Sequence, residues 1–142
     1  MDDILIVADS PEYLPERQHP GDAGADLKST SAEDIFSGET VTVSTGVKLA
    51  IPFGYVGLVF GRSGLASRKG IRPANCVGVI DSGYRDYIYV PLRNDGRDVY
   101  HVCQGDRIAQ LVIIRVGLPG FLAVDVLPGS DRGENGLGST GA

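Results

Sequence analysis

Short runs in which apolar and polar residues alternate occur along much of this chain, and they predict β-strands. The clearest run spans 41–49, where every second residue is Val, Thr or Leu and the others are Thr, Ser, Gly and Lys. This period of two predicts one strand with a single buried face. The segment 55–60 (YVGLVF) is apolar throughout and predicts a strand buried on both faces. Further strands are predicted at 4–7, 99–102 and 107–115.

Composition supports an all-β protein with one core. The 142 residues are enough for a single domain, and 20 Gly with 8 Pro indicate many turns between short strands. A net charge of −5 argues against binding to a nucleic-acid backbone, although a few placed arginines can still hold a small anion. Cys76 and Cys103 lack neighbours at metal-ligand spacing, which predicts free, buried thiols rather than a zinc site or a disulfide.

The start of the chain shows no charged segment followed by an apolar one, and no apolar run approaches the length that spans a membrane. We therefore expect a cytoplasmic protein that has neither a membrane nor a nucleic acid as its partner.

The segment 78–94 carries the most informative polar residues. Asp81 begins a Gly-containing turn, Tyr84 follows three residues later, and an alternating strand comes next. This order predicts a tight hairpin that places an acid and a ring on its two arms, around a pocket. Asp and Gly are also ordinary turn residues, so a purely structural hairpin remains the alternative.

A short helix is predicted immediately after the strand at 55–60. Ser63 is a suitable N-cap, Leu65 to Lys69 can form one or two turns, and Gly70 can end them in a left-handed conformation. Unpaired N–H groups at a helix N-terminus next to Arg62 bind anions well. The alternative is a capped surface helix with solvated arginines.

Three further segments are open to two interpretations. The block 21–29, which contains Asp26, is either a bulged strand start or part of a site. Gln110 interrupts an apolar strand, so its amide either bonds to local backbone or faces a wet site. The glycine-rich end, 131–142, is either a disordered tail or a loop that wraps phosphates when a ligand arrives.

Taken together in this order, five blocks resemble the trimeric dUTP pyrophosphatase (dUTPase) family: 23–29 (AGADLKS), 62–66 (RSGLA), 78–85 (GVIDSGYR), 105–111 (GDRIAQL) and 132–141 (RGENGLGSTG). The resemblance implies a jelly-roll-like β-barrel over 1–128 and a flexible C-terminal arm over 129–142. It also implies a homotrimer with three active sites at subunit interfaces, each completed by the arm of another chain.

The same resemblance implies hydrolysis of dUTP to dUMP and pyrophosphate, which limits uracil incorporation into DNA and supplies dUMP for thymidylate synthesis. Asp81 resembles the carboxylate that positions and deprotonates the attacking water. Tyr84 looks like the ring that packs under the deoxyribose and excludes a 2′-hydroxyl, and Asp26 resembles an acidic residue that supports the site. Mg²⁺ is expected on the triphosphate and its waters, with no ligand directly from the protein.

The other substrate contacts implied by the resemblance are Asn75 and Gly78 for uracil, Arg62, Ser63, Gly64 and Gln110 for phosphates or metal-bound water, and Arg132, Leu137, Gly138, Ser139 and Thr140 from the arm. These roles suit the chemistry, because a phosphoanhydride needs mainly positioning, charge stabilisation and one base. A general base contributes roughly 10² to 10⁴-fold.

Two rival functions are a related enzyme and a protein of another class. The related dCTP deaminases carry a glutamate in the strand after the hairpin, whereas 87–92 (YIYVPL) contains none. A non-catalytic relative that binds nucleotide and regulates a protein partner is the other rival. The retained Asp81, Gln110 and Arg132 argue against lost catalysis.

Four residues depart from the family pattern. Gly61 stands in place of a usual proline, Asp86 in place of a usual glycine, and Asn135 in place of a common glycine. Leu137 occupies the position of an aromatic residue that stacks on uracil. Asp86 is the most consequential, because an added anion near a triphosphate can weaken binding.

Leu137→Phe should lower the Michaelis constant for dUTP. Stacking of a base on an aromatic ring contributes about 1 to 3 kcal/mol, so a decrease of about fivefold or more is expected. Steady-state kinetics measure the Michaelis constant for dUTP, and an unchanged or higher value would contradict this prediction.

Overall fold

The computed structural model describes residues 3–75, 77–134 and 136. In this part of the chain there are eleven β-strands, one α-helix and one short 3₁₀ helix at Pro11–Tyr13. The strands are β1 (Leu5–Ala8), β2 (Ala25–Lys28), β3 (Glu33–Ile35), β4 (Thr40–Ser44), β5 (Val47–Ala50), β6 (Tyr55–Phe60), β7 (Ile71–Pro73), β8 (Gly78–Ile80), β9 (Tyr89–Asn94), β10 (Tyr100–Val102) and β11 (Arg107–Arg115). The helix α1 spans Ser63–Lys69.

Every strand pairing in the described residues is antiparallel. The strand order is β2-β11-β6-β8 in a four-stranded sheet and β4-β9-β7 in a three-stranded sheet, and β1-β5 and β10-β3 form two-stranded ribbons. The result is a jelly-roll-like all-β fold, which confirms the predicted fold class.

Apolar side chains from all of these sheets meet in one core. The largest that are fully buried are Leu27, Ile35, Val43, Val47, Ile51, Ile71, Ile88, Val90, Leu92, Val102 and Ile108. The core also buries the amide of Asn94, whose Nδ2 donates to Ile35 O and Asp98 O, both at 2.8 Å, and whose Oδ1 accepts from Gly96 N at 2.8 Å. All the polar groups of this side chain are therefore satisfied, as burial requires.

The prediction of one strand over 41–49 is wrong, because a bend at Thr45 and Gly46 divides it into β4 and β5. Gly46 has φ = +69°, and a Cβ there would lie 2.7 Å from Thr30 Cγ2. The bend sends β4 to pair with β9 and β5 to pair with β1. Alternation continues through the bend, so the sequence pattern does not reveal it.

The prediction that β6 is buried on both faces holds for one face and only in part for the other. Val59 is buried on the inner face, whereas on the other face Val56 is buried, Leu58 is half-buried and Phe60 is 40% exposed. Because Leu58 pairs with Val79 and Val112, the four-stranded sheet carries an apolar outer face. Its members are Leu58, Phe60, Val79, Val112 and Ile114.

The prediction that the segment 78–94 forms a hairpin is also wrong, because its two strands do not pair with each other. β8 pairs with β6, and β9 pairs with β4 and β7, so the turn that begins at Asp81 connects two different sheets. A strand's own sequence does not identify its partner, and here the partners come from elsewhere in the chain.

The helix forms at the predicted place, but Ser63 is its first residue rather than its cap. The capping position is Arg62, which has an extended backbone and makes no side-chain capping bond. The helix ends at Gly70 in the predicted left-handed conformation. Cys103 is free as predicted but exposed, and Cys76 lies outside the described residues. None of the helices in the described ranges is long and apolar enough to span a membrane.

Candidate functional site

Two cavities are lined by six of the predicted site residues. The first, called here the polar cavity, has a volume of about 340 Å³ and is lined by Gln18, Asp22, Ala23, Gly24, Asp26, Arg62, Ser63 and Gln110. The second, the tyrosine cavity, has a volume of about 250 Å³ and is lined by Val79, Ile80, Asp81, Tyr84, Tyr87 and Tyr89.

Three neighbouring strands of the four-stranded sheet build the polar cavity. On β11, Gln110 pairs with Asp26 of β2 on one side and with Phe60 of β6 on the other. The chain leaves β6 through Arg62 and enters α1 at the same edge. Antiparallel pairing therefore brings residues far apart in sequence to one rim.

Asp26 is the charged centre of the polar cavity. Its residue is only 8% exposed, and its Oδ1 accepts a hydrogen bond from Arg62 Nε at 2.9 Å. The other oxygen, Oδ2, accepts from Gln18 Nε2 at 3.2 Å and lies 3.6 Å from Arg107 Nη1. Two guanidinium groups and an amide thus stabilise a buried carboxylate that would otherwise be costly. The ion pair fixes Arg62 with its charge at the cavity rim.

The position of Gln110 agrees with both interpretations that the sequence left open. Its Nε2 donates to Gly61 O at 2.9 Å, so the amide bonds to local backbone, and it also lines the polar cavity. A Cβ on Gly24 would lie 2.2 Å from Gln110 Oε1. The absence of a side chain at Gly24 is therefore what allows the amide to occupy this position.

The first turn of α1 supplies hydrogen-bond donors at the same rim. The first N–H groups of a helix have no partner within it, and no side chain caps them here. Arg68 reaches back over this turn, because its Nη2 lies 2.7 Å from the position of a Cβ on Gly64. Together with Arg62, these groups make one edge of the cavity electropositive, which suits phosphate oxygens.

The tyrosine cavity is built by the turn that begins at Asp81. Tyr84 N donates to Asp81 O at 3.0 Å, which closes the turn. Arg85 Nη1 donates to Ser82 O at 2.7 Å and to Tyr84 O at 2.9 Å, so this side chain braces the turn from outside. Asp81 is exposed in the single chain and lines the cavity beside Tyr84.

The hydroxyl of Tyr84 donates to Tyr87 O at 2.8 Å. Desolvation, with smaller contributions from Asp86 and Tyr89, raises the pKa of Tyr84 above its ordinary value. The hydroxyl therefore stays protonated at neutral pH and keeps its bond, which holds the ring in a defined position.

The fold brings the predicted residues together in two groups rather than one. Asp26, Arg62, Ser63 and Gln110 line the polar cavity, and Gly64 adjoins it. Asp81 and Tyr84 line the tyrosine cavity. Asn75 is close to Gly78 on the strand that leads to Asp81, since its Nδ2 would be 3.3 Å from a Cβ on Gly78. These are the predicted uracil contacts.

The two cavities share no lining residue and lie toward opposite ends of β6. Ile80 of the tyrosine cavity pairs with Gly57, and Gln110 of the polar cavity pairs with Phe60, three residues further along β6. At about 3.3 Å per residue, that separation is roughly 10 Å along the strand.

Of the predicted arm residues, Arg132 is the one that lies within the described ranges. Arg132 is exposed and follows the last strand, and it is absent from the described residues that line the two cavities. Leu137, Gly138, Ser139 and Thr140 lie outside the described residues.

Several site residues were missed by reasoning from the sequence. The sequence offers no signal for Gln18, which comes from the loop before β2, whereas Asp22 lies within the block 21–29 but was not named as a site residue. Arg107 is three residues before Gln110 within a block already singled out. Tyr87 and Tyr89 alternate with buried Ile88 and Val90, so the period-two pattern places both on the exposed side.

Comparison with known proteins identifies relatives of the whole chain. The family model for dUTPase matches residues 11–141. The deoxyuridine 5′-triphosphate nucleotidohydrolase of Leifsonia xyli subsp. xyli is 46% identical over 140 residues, which cover 98% of this chain and 90% of that protein. The enzyme of the same name from Tropheryma whipplei is 49% identical over 130 residues, which cover 91% and 89% of the two chains.

A solved structure is similar over its full length. The dUTPase of Staphylococcus bacteriophage 80alpha, determined with dUpNHpp, superposes with a TM-score of 0.93 at 29% identity and covers 100% of both chains.

Gly24→Ala should weaken binding of dUpNHpp, because the added Cβ would displace the Gln110 amide from Gly61. Loss of one such hydrogen bond and of the cavity shape predicts a decrease in affinity of about five- to tenfold. Calorimetric titration measures it.

The matched control for this test is Gly21→Ala in the same loop, where nothing lies within 4 Å of the added Cβ. Equal affinities of the two variants for dUpNHpp would contradict the assigned role of Gly24.

Proposed function

We propose a mechanism for this chain from the premise that it belongs to the dUTPase family and is a dUTP nucleotidohydrolase. In this mechanism a water activated by Asp81 attacks the α-phosphate of dUTP and releases dUMP and pyrophosphate. The observation that carries the proposal is that Asp81 and Tyr84 lie on one braced turn and line one cavity.

Asp81 acts as the general base. The carboxylate accepts the proton of the attacking water while the water oxygen bonds to the α-phosphorus and the bond to the β-phosphate oxygen breaks. Its side chain is exposed in the single chain, where it can contact a water molecule. The backbone bond from Tyr84 and the brace from Arg85 limit its motion.

The polar cavity binds the phosphate chain. Arg62 supplies a charge that Asp26 holds in place, and the first turn of α1 at Ser63 and Gly64 supplies N–H donors. Gln110 keeps its amide at the rim, where it can contact a phosphate or a metal-bound water. These groups stabilise the charge that develops on the phosphates during hydrolysis.

Mg²⁺ fits this site as a ligand of the triphosphate rather than of the protein. Within the described residues no group of three or more acidic, His or Cys side chains could hold a metal ion. The buried carboxylate of Asp26 is already engaged by Arg62 and Arg107. When bound, Mg²⁺ would neutralise phosphate charge and orient the chain of phosphates.

The nucleoside is recognised by residues on either side of Gly78, from Asn75 to Tyr84. Asn75 and the backbone near Gly78 bind the uracil edge, and the Tyr84 ring packs under the deoxyribose. Buried backbone donors and acceptors left unpaired by cytosine would discriminate strongly against it.

A complete site requires two copies of the chain. Asp81 must reach the α-phosphate, yet its neighbour Ile80 and Gln110 of the polar cavity lie roughly 10 Å apart along β6 in the same chain. Combining the polar cavity of one subunit with the tyrosine cavity of another removes this mismatch. The site residues thus favour the homotrimer that the family resemblance implies.

Exposed apolar surface also favours association. The segment 116–128, which follows β11, has no helix or strand, and its apolar side chains are exposed, including Phe121 at 100% and Leu122 at 87%. Near β1, an apolar groove of about 540 Å³ is lined mainly by residues such as Ile4, Leu14 and Ile113. Such surfaces are rare on monomers of this size.

We assign 1–128 to the barrel and 129–142 to an arm that closes the site of another subunit. Arg132, Ser139 and Thr140 would clamp the phosphates, while Leu137 and Gly138 would cover the base. The cytoplasmic location and the roles in limiting uracil in DNA and supplying dUMP stay predictions.

Pyrophosphate release from dUTP, dCTP, dTTP and UTP with Mg²⁺ tests the proposed reaction. Release is expected from dUTP alone, and Asp81→Asn should reduce turnover by about 10² to 10⁴-fold while dUpNHpp still binds. The control is Asp98→Asn, which changes an exposed carboxylate outside both cavities and should keep wild-type turnover.

Full turnover by Asp81→Asn would exclude Asp81 as the base. An absence of release from all four nucleotides would favour the regulatory binding module, and ammonia release from dCTP would favour a deaminase.

Leu122→Asp should impair trimer formation, because it places a charge on an exposed apolar side chain in the segment after β11. Sedimentation of the unchanged protein should give three times the 15.0 kDa chain mass, and the variant should shift toward the single-chain mass. Phe36→Asp, at an exposed Phe between β3 and β4, is the matched control. A wild-type mass of one chain would contradict the trimer.

A further inference from the structure

Asp86, which departs from the family pattern, belongs to a network of side chains behind the tyrosine cavity. Its Oδ1 accepts a hydrogen bond from Tyr87 N at 2.7 Å and lies 3.7 Å from Lys48 Nζ. The same ammonium group lies 4.3 Å from the centre of the Tyr87 ring. At the other end of the ring, Tyr87 OH donates to Asp9 Oδ1 at 2.6 Å. Backbone, ring and hydroxyl of Tyr87 are therefore all engaged.

The backbone behind this network is firmly attached to the barrel. Ile88 is fully buried, accepts a hydrogen bond from Thr45 N at 3.0 Å and donates to Val47 O at 2.9 Å. Asp9 N donates to Gly46 O at 2.9 Å. The turn that precedes Ile88 is largely exposed and has no such backbone ladder. Side-chain contacts consequently decide how well that turn is held.

Tyr87 connects Tyr84 to this part of the barrel. The hydroxyl of Tyr84 donates to the Tyr87 carbonyl at 2.8 Å, and both rings line the tyrosine cavity. A shift of Tyr87 must therefore either break that bond or move the Tyr84 ring. The hydrogen bond to Asp9 raises the pKa of Tyr87, so its hydroxyl remains a donor at neutral pH.

We propose that Asp9, Lys48 and Asp86 are positioning residues that act through Tyr87 to hold the Tyr84 ring in the tyrosine cavity. This inference rests on the proposed function, which assigns Tyr84 to the deoxyribose of dUTP. The hydrogen bond from Tyr87 OH to Asp9 is short and ends on a carboxylate, whereas the ion pair between Lys48 and Asp86 is longer at 3.7 Å and screened by solvent.

The network also shows what the added negative charge of Asp86 contacts. Its negative charge is balanced by the nearby Lys48, and its oxygen is committed to the backbone of Tyr87. The carboxylate thereby supports the nucleoside wall instead of adding an unpaired anion beside the phosphates.

Tyr87→Phe tests the inference by removing only the hydroxyl that bonds to Asp9. A less well held Tyr84 ring should raise the KM for dUTP by about five- to tenfold and change kcat by less than about twofold. Asp9→Ala should have the same effect, because it removes the carboxylate that accepts this hydrogen bond. The double variant should be no worse than either single one, because both changes remove one shared interaction.

The matched control is Tyr55→Phe, which also removes a hydrogen-bonded phenol hydroxyl, here the acceptor for Arg115 Nε at 3.1 Å. Tyr55 lines neither cavity, so KM should stay at the wild-type value. Sedimentation and the midpoint of urea unfolding are measured for every variant, and Asp9→Ala decides the outcome if Tyr87→Phe does not fold.

Unchanged KM in folded Tyr87→Phe and Asp9→Ala, or additive effects in the double variant, would overturn the inference. In that case Asp81→Asn would still be inactive if the proposed function is right. Full turnover of Asp81→Asn would instead show that the proposed function itself fails, whatever the result at Tyr87.

Discussion

The antiparallel register of β6 between β11 and β8 is the constraint on which the candidate site depends. Because Phe60 pairs with Gln110 and Gly57 pairs with Ile80, the polar cavity and the tyrosine cavity form toward opposite ends of one strand. A slip of one residue would turn Gln110 to the other face of the sheet. The same register that builds each half of the site also keeps the halves apart within a chain.

Charge compensation determines what the polar cavity can bind. Asp26 is nearly buried, and the free energy cost of removing a carboxylate from water is offset by Arg62, Arg107 and Gln18. The arrangement leaves Arg62 oriented but not withdrawn from the cavity rim. The carboxylate of Asp26 is thus engaged by protein donors on both of its oxygens.

Several apolar surfaces of the single chain are exposed to solvent. The outer face of the four-stranded sheet, the groove beside β1 and the segment 116–128 all present apolar groups to water. Association of subunits would bury these groups while it joins the polar cavity of one chain to the tyrosine cavity of the next. Stability and catalysis would then depend on the same contacts between subunits.

Much of the fold and many site residues could be predicted from the sequence. Short runs rich in apolar residues located β1, β10 and β11 to within one residue at each end, and polar blocks singled out Asp26, Arg62, Asp81 and Gln110. These signals are local, since periodicity and turn chemistry depend on neighbouring residues. The break at Gly46 was missed because the alternation of apolar and polar residues runs through it unchanged.

By itself the sequence determined the fold class, the family resemblance and the residue types that the chemistry needs. Only the tertiary structure decided that β8 and β9 enter different sheets, that Arg107 and Gln18 neutralise Asp26, and that Tyr87 connects Tyr84 to the barrel. Strand pairing joins residues that are distant along the chain, and hydrogen bonds and ion pairs between them depend on that pairing. No local pattern contains this information, so the two separate halves of the site became visible only in three dimensions.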